Sequence, residues 1–376
     1  MIKVARGCLG DEEINAVKEA FEYGYFGLAY KVNEFEGAIK DYLNTHAEVI
    51  ATNTGTSALH LALDALGVGK DDEVIVPSFT FVASVQAIML CGAKPVFCEV
   101  DENTFLMDIE DVRKKITNKT KVIMPVHYAG NPCDMDALLE IKRETGIRIV
   151  EDAAHAIGST YKGEKIGSFG DVTCFSFDSI KVITCGEGGC IVTSDADVIE
   201  KSRTKRLLGI DRKTMHTKNW KERSWIYNVD TIGYRYHMSN INAAIGCEQL
   251  KKIEKFIDRR RKICTLYVGH LNKLKGIGIL KSDYSTIAPF MFPIKVYDGK
   301  RDRLKQFLQE KDIETGISYI PNHMYSLFKD DSVQLAISDK IFSEVLCLPI
   351  HYELEDEDVE AVCKSIDEFY NLDRRL

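Results

Sequence analysis

Residues 122–150 read VIMPVHYAGNPCDMDALLEIKRETGIRIV, and this stretch decides the fold class. An apolar run at Val122–Val126 is followed by a helical pattern at Met135–Thr145 and by a second apolar run at Ile147–Val150. Short β-branched runs on either side of a helix-length segment are typical of a β-α-β unit. Because the two strands of such a unit run in the same direction, the stretch predicts part of a parallel sheet.

The same alternation extends over residues 50–195. Further strand-like runs and helical patterns occur at Ser57–Leu66, Val74–Val76, Ser84–Cys91, Pro95–Phe97 and Cys190–Val192. The alternation predicts an α/β fold with a mostly parallel central sheet. Ligands of such sheets gather at the carboxyl ends of the strands.

Beyond residue 240 the pattern changes to that of a smaller α+β domain. Its predicted elements are a long helix over 240–270, a strand at Phe290–Val296, a helix at Arg301–Lys311, a short strand at Gly316–Ile320 and an acidic helix at Glu355–Tyr370. We therefore predict a large domain over residues 1–250 and a small C-terminal domain over residues 251–376.

Composition and charge narrow the class of protein. The chain has 376 residues and a net charge of −8, a sign that disfavours wholesale binding to nucleic acid or acidic membranes. No apolar run approaches the roughly 18 residues of a membrane span, and the first residues lack the apolar core of a secretory signal. Eleven cysteines without a Cys-x-x-Cys pair indicate reduced thiols. We expect a cytoplasmic protein without a metal site, since the nine histidines show no ligand spacing.

One feature suited to chemistry is a candidate phosphate cradle at residues 52–59, TNTGTSAL. A glycine and several hydroxyls stand where a helix begins, and a helix start with free N–H groups binds anions. The alternative is simple N-capping by Thr56 or Ser57, which is the better explanation if the motif is taken alone.

Two further features carry ionisable groups. Asp152 follows an apolar strand, where a carboxylate can hold a positively charged heterocyclic nitrogen; a helix cap is the alternative. Lys181 lies between an apolar strand and the glycines of residues 186–189, and a partly desolvated lysine there can act as a nucleophile. A lone lysine is more often solvated, so the hypothesis depends on all three features together.

Several motifs, in this order along nearly the whole chain, resemble those of the DegT/DnrJ/EryC/StrS sugar aminotransferases. They are Gly55–Leu59, Pro77–Phe81, Pro125–Gly130, Glu151–His155, Phe175–Phe177 with Lys181, Gly186–Gly189, Gly233–Ser239 and Leu348–His351.

The resemblance implies an aspartate-aminotransferase-like large domain (PLP fold type I), a small C-terminal domain, and a homodimer whose active sites lie at the subunit interface. It implies pyridoxal 5'-phosphate (PLP) as cofactor, with pyridoxamine phosphate carrying the amine from L-glutamate to a ketone. Such a two-stage exchange predicts ping-pong kinetics.

The resemblance also implies roles for single residues. Lys181 matches the lysine that binds the cofactor covalently, Asp152 the partner of the pyridine nitrogen, and Phe79 the aromatic residue that stacks on the ring. His155 matches a position beside the cofactor's 3-hydroxyl, where many members carry Gln.

The cofactor phosphate is implied to have two sets of contacts. The set on the same chain is Gly55, Thr56, Ser57 and Ser176. The segment Tyr234–His237 matches one that reaches the partner subunit's phosphate, often through Asn. Here the polar candidates are Arg235 and His237.

The pairing of His155 with residues 183–189 resembles branches that aminate carbon 4 of nucleotide-linked keto-sugars. We predict a nucleotide-linked 4-keto-6-deoxyhexose or 4-ketopentose as substrate, for surface polysaccharide such as lipopolysaccharide O-antigen or capsule. The residues expected to contact the substrate are Lys218, Trp220, Arg223, Tyr319 and His323.

Alternatives remain open from the sequence. The basic residues near 218–223 fit an ordinary solvated loop equally well. Asp178, where His is commoner, is similar to the branch that acts on an 8-oxo-octulosonate, a keto-sugar without a nucleotide, and a small phosphorylated ketone is a third substrate class. A non-catalytic interaction protein is an alternative of another class, although it would not need Lys181, Asp152 and the phosphate cradle together.

Overall fold

A computed structural model describes residues 1–210 and 227–373. The helices of the described residues are α1 (Asp11–Tyr23), α2 (Tyr30–Leu43), α3 (Gly55–Ala65), α4 (Val82–Leu90), α5 (Ile109–Lys115), α6 (Met135–Thr145), α7 (Ala196–Lys205), α8 (Asn240–Lys251), α9 (Ile253–Leu271), α10 (Arg301–Glu310), α11 (Ala336–Glu344) and α12 (Asp356–Asp373). The strands are β1 (Glu48–Thr52), β2 (Glu73–Pro77), β3 (Lys94–Cys98), β4 (Thr120–Ile123), β5 (Arg148–Asp152), β6 (Thr160–Tyr161), β7 (Glu164–Lys165), β8 (Val172–Ser176), β9 (Gly189–Thr193), β10 (Ile277–Ile279), β11 (Phe292–Val296) and β12 (Val345–Leu348).

Seven strands form the central sheet in the order β1-β9-β8-β5-β4-β2-β3. The neighbours from β8 to β3 pair in parallel, whereas β9 runs antiparallel to both β1 and β8. This confirms the predicted α/β fold with a mostly parallel central sheet. Because all strands except β9 point the same way, the loops that follow β1, β2, β5 and β8 meet at one edge of the sheet.

Helix α3 packs across this sheet and is buried along nearly its whole length, from Ser57 to Ala65. The apolar side chains Leu59, Leu61 and Leu63 are each at most 3% exposed. A helix that is buried on all sides has little freedom to move. Its first turn is therefore held at a fixed place beside the carboxyl ends of β1 and β8.

A second, antiparallel sheet of order β10-β11-β12 lies in the C-terminal part of the chain. Its core contains Tyr267, Phe292 and Leu346, which are fully buried. The N-terminal end of the chain joins this part, because Ile2 pairs with Ile313. The division between residues 250 and 251 stays a prediction.

Two predicted elements differ from the observed ones. The helix predicted over 240–270 is interrupted at Lys252, whose N–H donates to Gln249 O three residues back in a tighter turn. The strand predicted at Gly316–Ile320 is reduced to one bridge between Gly316 and Cys347. The reason is that the Ser318 carbonyl accepts a hydrogen bond from the Tyr128 hydroxyl instead of from a neighbouring strand.

Among the described residues, no helix combines the length and the apolar character needed to cross a membrane.

Candidate active site

An open cavity of about 440 Å³ lies where the loops after the parallel strands meet the C-terminal part of the chain. The residues that line it include Gly55, Thr56, Thr80, Phe81, Asp152, His155, Ser176, Asp178, Lys181, Phe290 and Tyr319. The cavity thus brings together the three sequence features that were proposed to act jointly.

Lys181 follows β8 and contributes its amine to this cavity. Its Nζ lies 4.2 Å from the centre of the Phe290 ring. Desolvation lowers the pKa of Lys181 to about 8, against the opposing attraction of Asp152 and Asp178. A lysine in this environment is partly neutral near physiological pH and can act as a nucleophile or a base.

Asp152 is the last residue of β5 and is 5% exposed. Ser84 Oγ donates to its Oδ2 at 2.6 Å, and the Ala154 N–H donates to its Oδ1 at 3.1 Å. The alternative role as a helix cap does not apply, because no helix of the described chain begins at Asp152. Asp152 instead lines the cavity.

The candidate phosphate cradle is the first turn of α3. Thr54 is the N-cap, and its Oγ1 accepts a hydrogen bond from the Ser57 N–H at 3.0 Å. The Ser57 hydroxyl oxygen accepts the Thr54 N–H at 3.1 Å and so completes a capping box, in which the N-cap is Thr54 and not Thr56 or Ser57 as the alternative from the sequence had it. Ser57 does not line the cavity. The N–H groups of Gly55 and Thr56 have no acceptor within the helix and stand at its positive end, which suits them to bind an anion.

Gly55 and Ser176 are packed against each other at this cradle. A Cβ atom on Gly55 would lie 2.7 Å from Ser176 Cβ and 2.9 Å from Ser176 Oγ. Ser176 ends β8 and lines the cavity. Position 55 must therefore be glycine if the helix start and the Ser176 hydroxyl are to share this space.

The aromatic residue that lines the cavity from the loop after β2 is Phe81 and not Phe79, which corrects the expectation from the sequence. Phe79 is 1% exposed and packs on Phe105 and Tyr128, at ring-centre distances of 5.5 and 5.4 Å. The chain bends between them, since the Thr80 N–H donates to Ser78 O. This bend turns Phe79 into the core and leaves Phe81 53% exposed at the cavity wall.

His155 stands in the middle of an aromatic group. It stacks on Phe290 with a ring-centre distance of 4.3 Å and an interplanar angle of 19°, and its Nε2 lies 3.2 Å from the Tyr319 hydroxyl. Its Nδ1 is buried and has no hydrogen-bond partner within residues 1–210 and 227–373. Burial, and then the cationic Lys181, hold the pKa of His155 well below its usual range, so the ring is neutral. His155 can therefore offer a neutral hydrogen-bonding edge to a ligand.

The segment that carries Arg235 and His237 runs beside the cradle without lining the cavity. The Asn53 N–H donates to Tyr236 O at 2.7 Å, and His237 pairs with Thr52. Arg235 is exposed. The predicted contact of this segment with a partner subunit stays a prediction.

The residues expected to bind substrate fall into three groups. Tyr319 lines the cavity. His323 does not line it, because both ring nitrogens are engaged: Nδ1 lies 2.8 Å from Ser78 Oγ and Nε2 3.0 Å from Asp339 Oδ1. Lys218, Trp220 and Arg223 lie outside the described residues.

Three residues of the site were not identified from the sequence. Phe81 belongs to a motif that was recognised, so only the choice between two phenylalanines was wrong. No local sequence pattern pointed to Ser84 or Phe290. Ser84 bonds Asp152, which is 68 positions away in the chain, and Phe290 stacks on His155, which is 135 positions away. Within residues 1–210 and 227–373, no three His, Cys, Asp or Glu side chains are grouped so as to ligate a metal ion.

Residues 7–367 match the model of the DegT/DnrJ/EryC1/StrS aminotransferase family. The chain is 37% identical over 341 residues to the GDP-perosamine synthase of Escherichia coli O157:H7, with 90% of each chain covered. It is 32% identical over 373 residues to the dTDP-4-dehydro-2,3,6-trideoxy-D-glucose 4-aminotransferase of Saccharopolyspora spinosa, with 98% of this chain and 96% of the relative covered. A putative sugar aminotransferase from Streptococcus pneumoniae, solved in a PLP form, superposes with a TM-score of 0.89 and 29% identity over 97% of each chain.

Proposed function

The chain belongs to the DegT/DnrJ/EryC1/StrS aminotransferase family, and from this premise we propose that it transfers the amino group of L-glutamate to carbon 4 of a nucleotide-linked keto-sugar. Family membership makes it a PLP-dependent aminotransferase. The substrate class is proposed because one relative is by name a GDP-perosamine synthase and another a 4-aminotransferase of a dTDP-linked sugar. We place the product in surface polysaccharide and the enzyme in the cytoplasm.

The observation that carries the proposal is the set of groups that face one cavity. A lysine with a pKa of about 8, a buried and oriented carboxylate, and a helix start with free N–H groups stand around the same space. These three groups fit the aldehyde, the ring nitrogen and the phosphate of PLP. The close packing of Gly55 against Ser176 supports the fit, because the lack of a side chain at position 55 leaves the start of α3 open to the cofactor phosphate.

PLP, when bound, supplies an electron-poor ring that withdraws charge from the reacting carbon. The carboxylate of Asp152 would pair with the protonated ring nitrogen, and its orientation for this is set by the hydrogen bonds from Ser84 Oγ and the Ala154 N–H. The amine of Lys181, once free, can take a proton from one carbon and return it to another. Phe81 and Phe290 line the site with apolar rings, against which the flat cofactor ring could pack.

We also propose that the enzyme is a homodimer. Helix α1 and the loop that follows it expose Ile14, Phe21, Tyr23, Tyr25 and Phe26, each between 46 and 66%. A group of large apolar side chains of this kind is typical of a protein interface. Light scattering after size-exclusion chromatography tests the state directly, and a monomer at micromolar concentration would contradict it.

The function is tested in two stages. The purified enzyme, loaded with PLP, is first mixed with L-glutamate, and loss of the visible absorption band of the bound cofactor reports transfer of the amine. The aminated enzyme is then mixed with GDP- or dTDP-linked 4-keto-6-deoxyhexose, and recovery of the band together with an amino sugar in the mass spectrum is expected. Lys181→Ala should show neither change. Recovery only with an 8-oxo-octulosonate or a small phosphorylated ketone would overturn the substrate class while leaving the transaminase activity standing.

A further inference from the structure

We propose that Asn322 is a positioning residue that holds Phe81 at the wall of the active cavity. Asn322 does not itself line the cavity, and it lies 241 positions beyond Phe81 in the sequence. The proposal rests on the proposed function, since it concerns the binding of the cofactor in that same site.

The contacts of Asn322 are concentrated on the loop after β2. Its N–H donates to Ser78 O at 2.8 Å, and its Nδ2 donates to Ser78 O at 3.0 Å and to Thr80 O at 2.8 Å. The residue is completely buried. Because the Ser78 and Thr80 carbonyls both accept from Nδ2, the amide group of Asn322 must point its nitrogen, and not its oxygen, toward the loop.

These hydrogen bonds fix the bend that separates Phe79 from Phe81. The Ser78 and Thr80 carbonyls stand on either side of Phe79, so that holding both of them sets the direction in which the chain leaves the core. Phe81 comes next and is the N-cap residue of α4. Its ring lies 5.6 Å from the ring of Tyr319, which belongs to the same stretch as Asn322. One short stretch therefore both fixes the loop and packs against the aromatic side chain that it presents.

The stretch is itself anchored, which a positioning role requires. His323, the next residue, bonds Ser78 Oγ through Nδ1 and Asp339 of α11 through Nε2. The start of α11 is in turn held by Glu99, whose carboxylate accepts hydrogen bonds from the Ile337 and Ser338 N–H groups at 2.9 and 3.0 Å. Because Glu99 follows β3, this network ties the loop of Phe81 to the edge of the central sheet.

The experiment is a double-mutant cycle on cofactor binding. The variants are Asn322→Ala, Phe81→Leu and the double variant, and the readouts are the dissociation constant of PLP from titration of the cofactor-free protein, the visible circular dichroism of bound PLP, and the Tm of the cofactor-free protein. We expect each single change to weaken PLP binding by on the order of tenfold, and the double variant to lose no more than about twofold beyond Phe81→Leu alone.

The matched control is Asn240→Ala. Asn240 is also completely buried, at the start of α8. Its Oδ1 accepts the Lys31 N–H at 2.9 Å, and its own N–H donates to Phe26 O and Gly27 O. This variant should lower Tm without changing the circular dichroism. Should Asn322→Ala not fold, Asn322→Ser retains the backbone bond and a polar side chain and is carried through the same cycle.

Two results would overturn the proposal. One is a double variant whose loss is the product of the two single losses, about a hundredfold, because independent effects add in free energy. The other is an Asn322 variant with lowered Tm and unchanged cofactor affinity and dichroism. A wild-type protein that binds no PLP would instead remove the proposed function, and the two failures are therefore distinct.

Discussion

Ser84 Oγ lies 2.6 Å from Asp152 Oδ2 and donates a hydrogen bond to it from the adjacent helix α4. Ser84 is completely buried, and Asp152 is 5% exposed. A buried carboxylate that accepts a hydrogen bond from a buried donor is held in one orientation. Helix α4 therefore contributes to the site through a residue that does not itself line the cavity.

Removal of the Ser84 hydroxyl should lower both the affinity for PLP and the stability of the protein, without altering the shape of the cavity. In Ser84→Ala one oxygen of Asp152 loses its buried donor, which costs about 1–3 kcal/mol of stability for an unsatisfied buried group. We expect PLP to bind on the order of tenfold more weakly, because the carboxylate is less firmly held. Cofactor titration and urea unfolding of the cofactor-free protein measure the two effects.

The control for this variant is Ser202→Ala. Ser202 is also fully buried, in α7, but its hydroxyl has no hydrogen-bond partner among the residues that the structure describes. Its removal should leave cofactor affinity unchanged and stability equal or higher. Equal losses of PLP affinity in the two variants would show that the Ser84 effect is a general result of deleting a buried hydroxyl.

Gly55→Ala should damage the phosphate cradle. Because the new Cβ would lie 2.7 Å from Ser176 Cβ, either the first turn of α3 or the end of β8 must shift. We expect PLP affinity to fall by tenfold or more, roughly the effect of losing one or two charge-assisted hydrogen bonds.

Gly37→Ala is the matched control for Gly55→Ala. Gly37 lies within α2, and a Cβ there would meet nothing within 4 Å. Alanine in a helix interior is favoured over glycine by about 1 kcal/mol, so this variant should be slightly more stable, with unchanged cofactor affinity. Unaltered PLP binding in Gly55→Ala would exclude the first turn of α3 as the phosphate site.

The central sheet was largely predictable because its signal is local. The runs at Val74–Val76, Pro95–Phe97 and Ile147–Val150 are rich in β-branched and apolar residues, as strands of parallel sheets are, and all three lie in strands of the structure. The direction of β9 was not predictable, since strand direction depends on the path of the chain between strands. The short strand expected at Gly316–Ile320 failed because a side chain of another segment, Tyr128, takes the Ser318 carbonyl.

The site was predictable where a motif is contiguous and not where it depends on tertiary contacts. Asp152 and Lys181 end or follow strands, and their approach to one cavity follows from the parallel sheet. The choice of Phe79 over Phe81 was wrong because it is decided by a bend that Asn322 fixes from a distant part of the chain. His323 has a ligand-like residue type but is occupied on both nitrogens.

The pKa of Lys181 predicts how fast the cofactor-free enzyme captures PLP at different pH values. Only the neutral amine attacks an aldehyde, and desolvation lowers its pKa to about 8. The capture rate should therefore rise with pH and level off above about 8, instead of rising until the ordinary lysine value of about 10.4. Stopped-flow absorbance of the forming cofactor band measures this rate.

Asp178→Asn provides the check on this interpretation. The charge of Asp178 opposes the desolvation of Lys181, so its removal should move the midpoint of the rate profile to lower pH. A wild-type midpoint near 10, or a shift to higher pH in Asp178→Asn, would contradict the environment described for Lys181.

His155 should remain neutral over the pH range in which the enzyme works. Burial, followed by the nearby Lys181, holds the pKa of His155 well below its usual range, so the ring gains no proton until the pH falls well below the ordinary histidine value of about 6.5. We expect the rate of the glutamate half-reaction, measured between about pH 5.5 and 8, to show no step near 6.5.

His155→Gln, whose amide is also neutral, should give a pH profile of the same shape at a lower rate. Tyr319→Phe removes the 3.2 Å contact with Nε2 and should likewise lower the rate without adding a step. A step near 6.5 in the wild type that disappears in His155→Gln would show that the ring titrates, and that its buried contacts with Phe290 and Tyr319 do not exclude a proton.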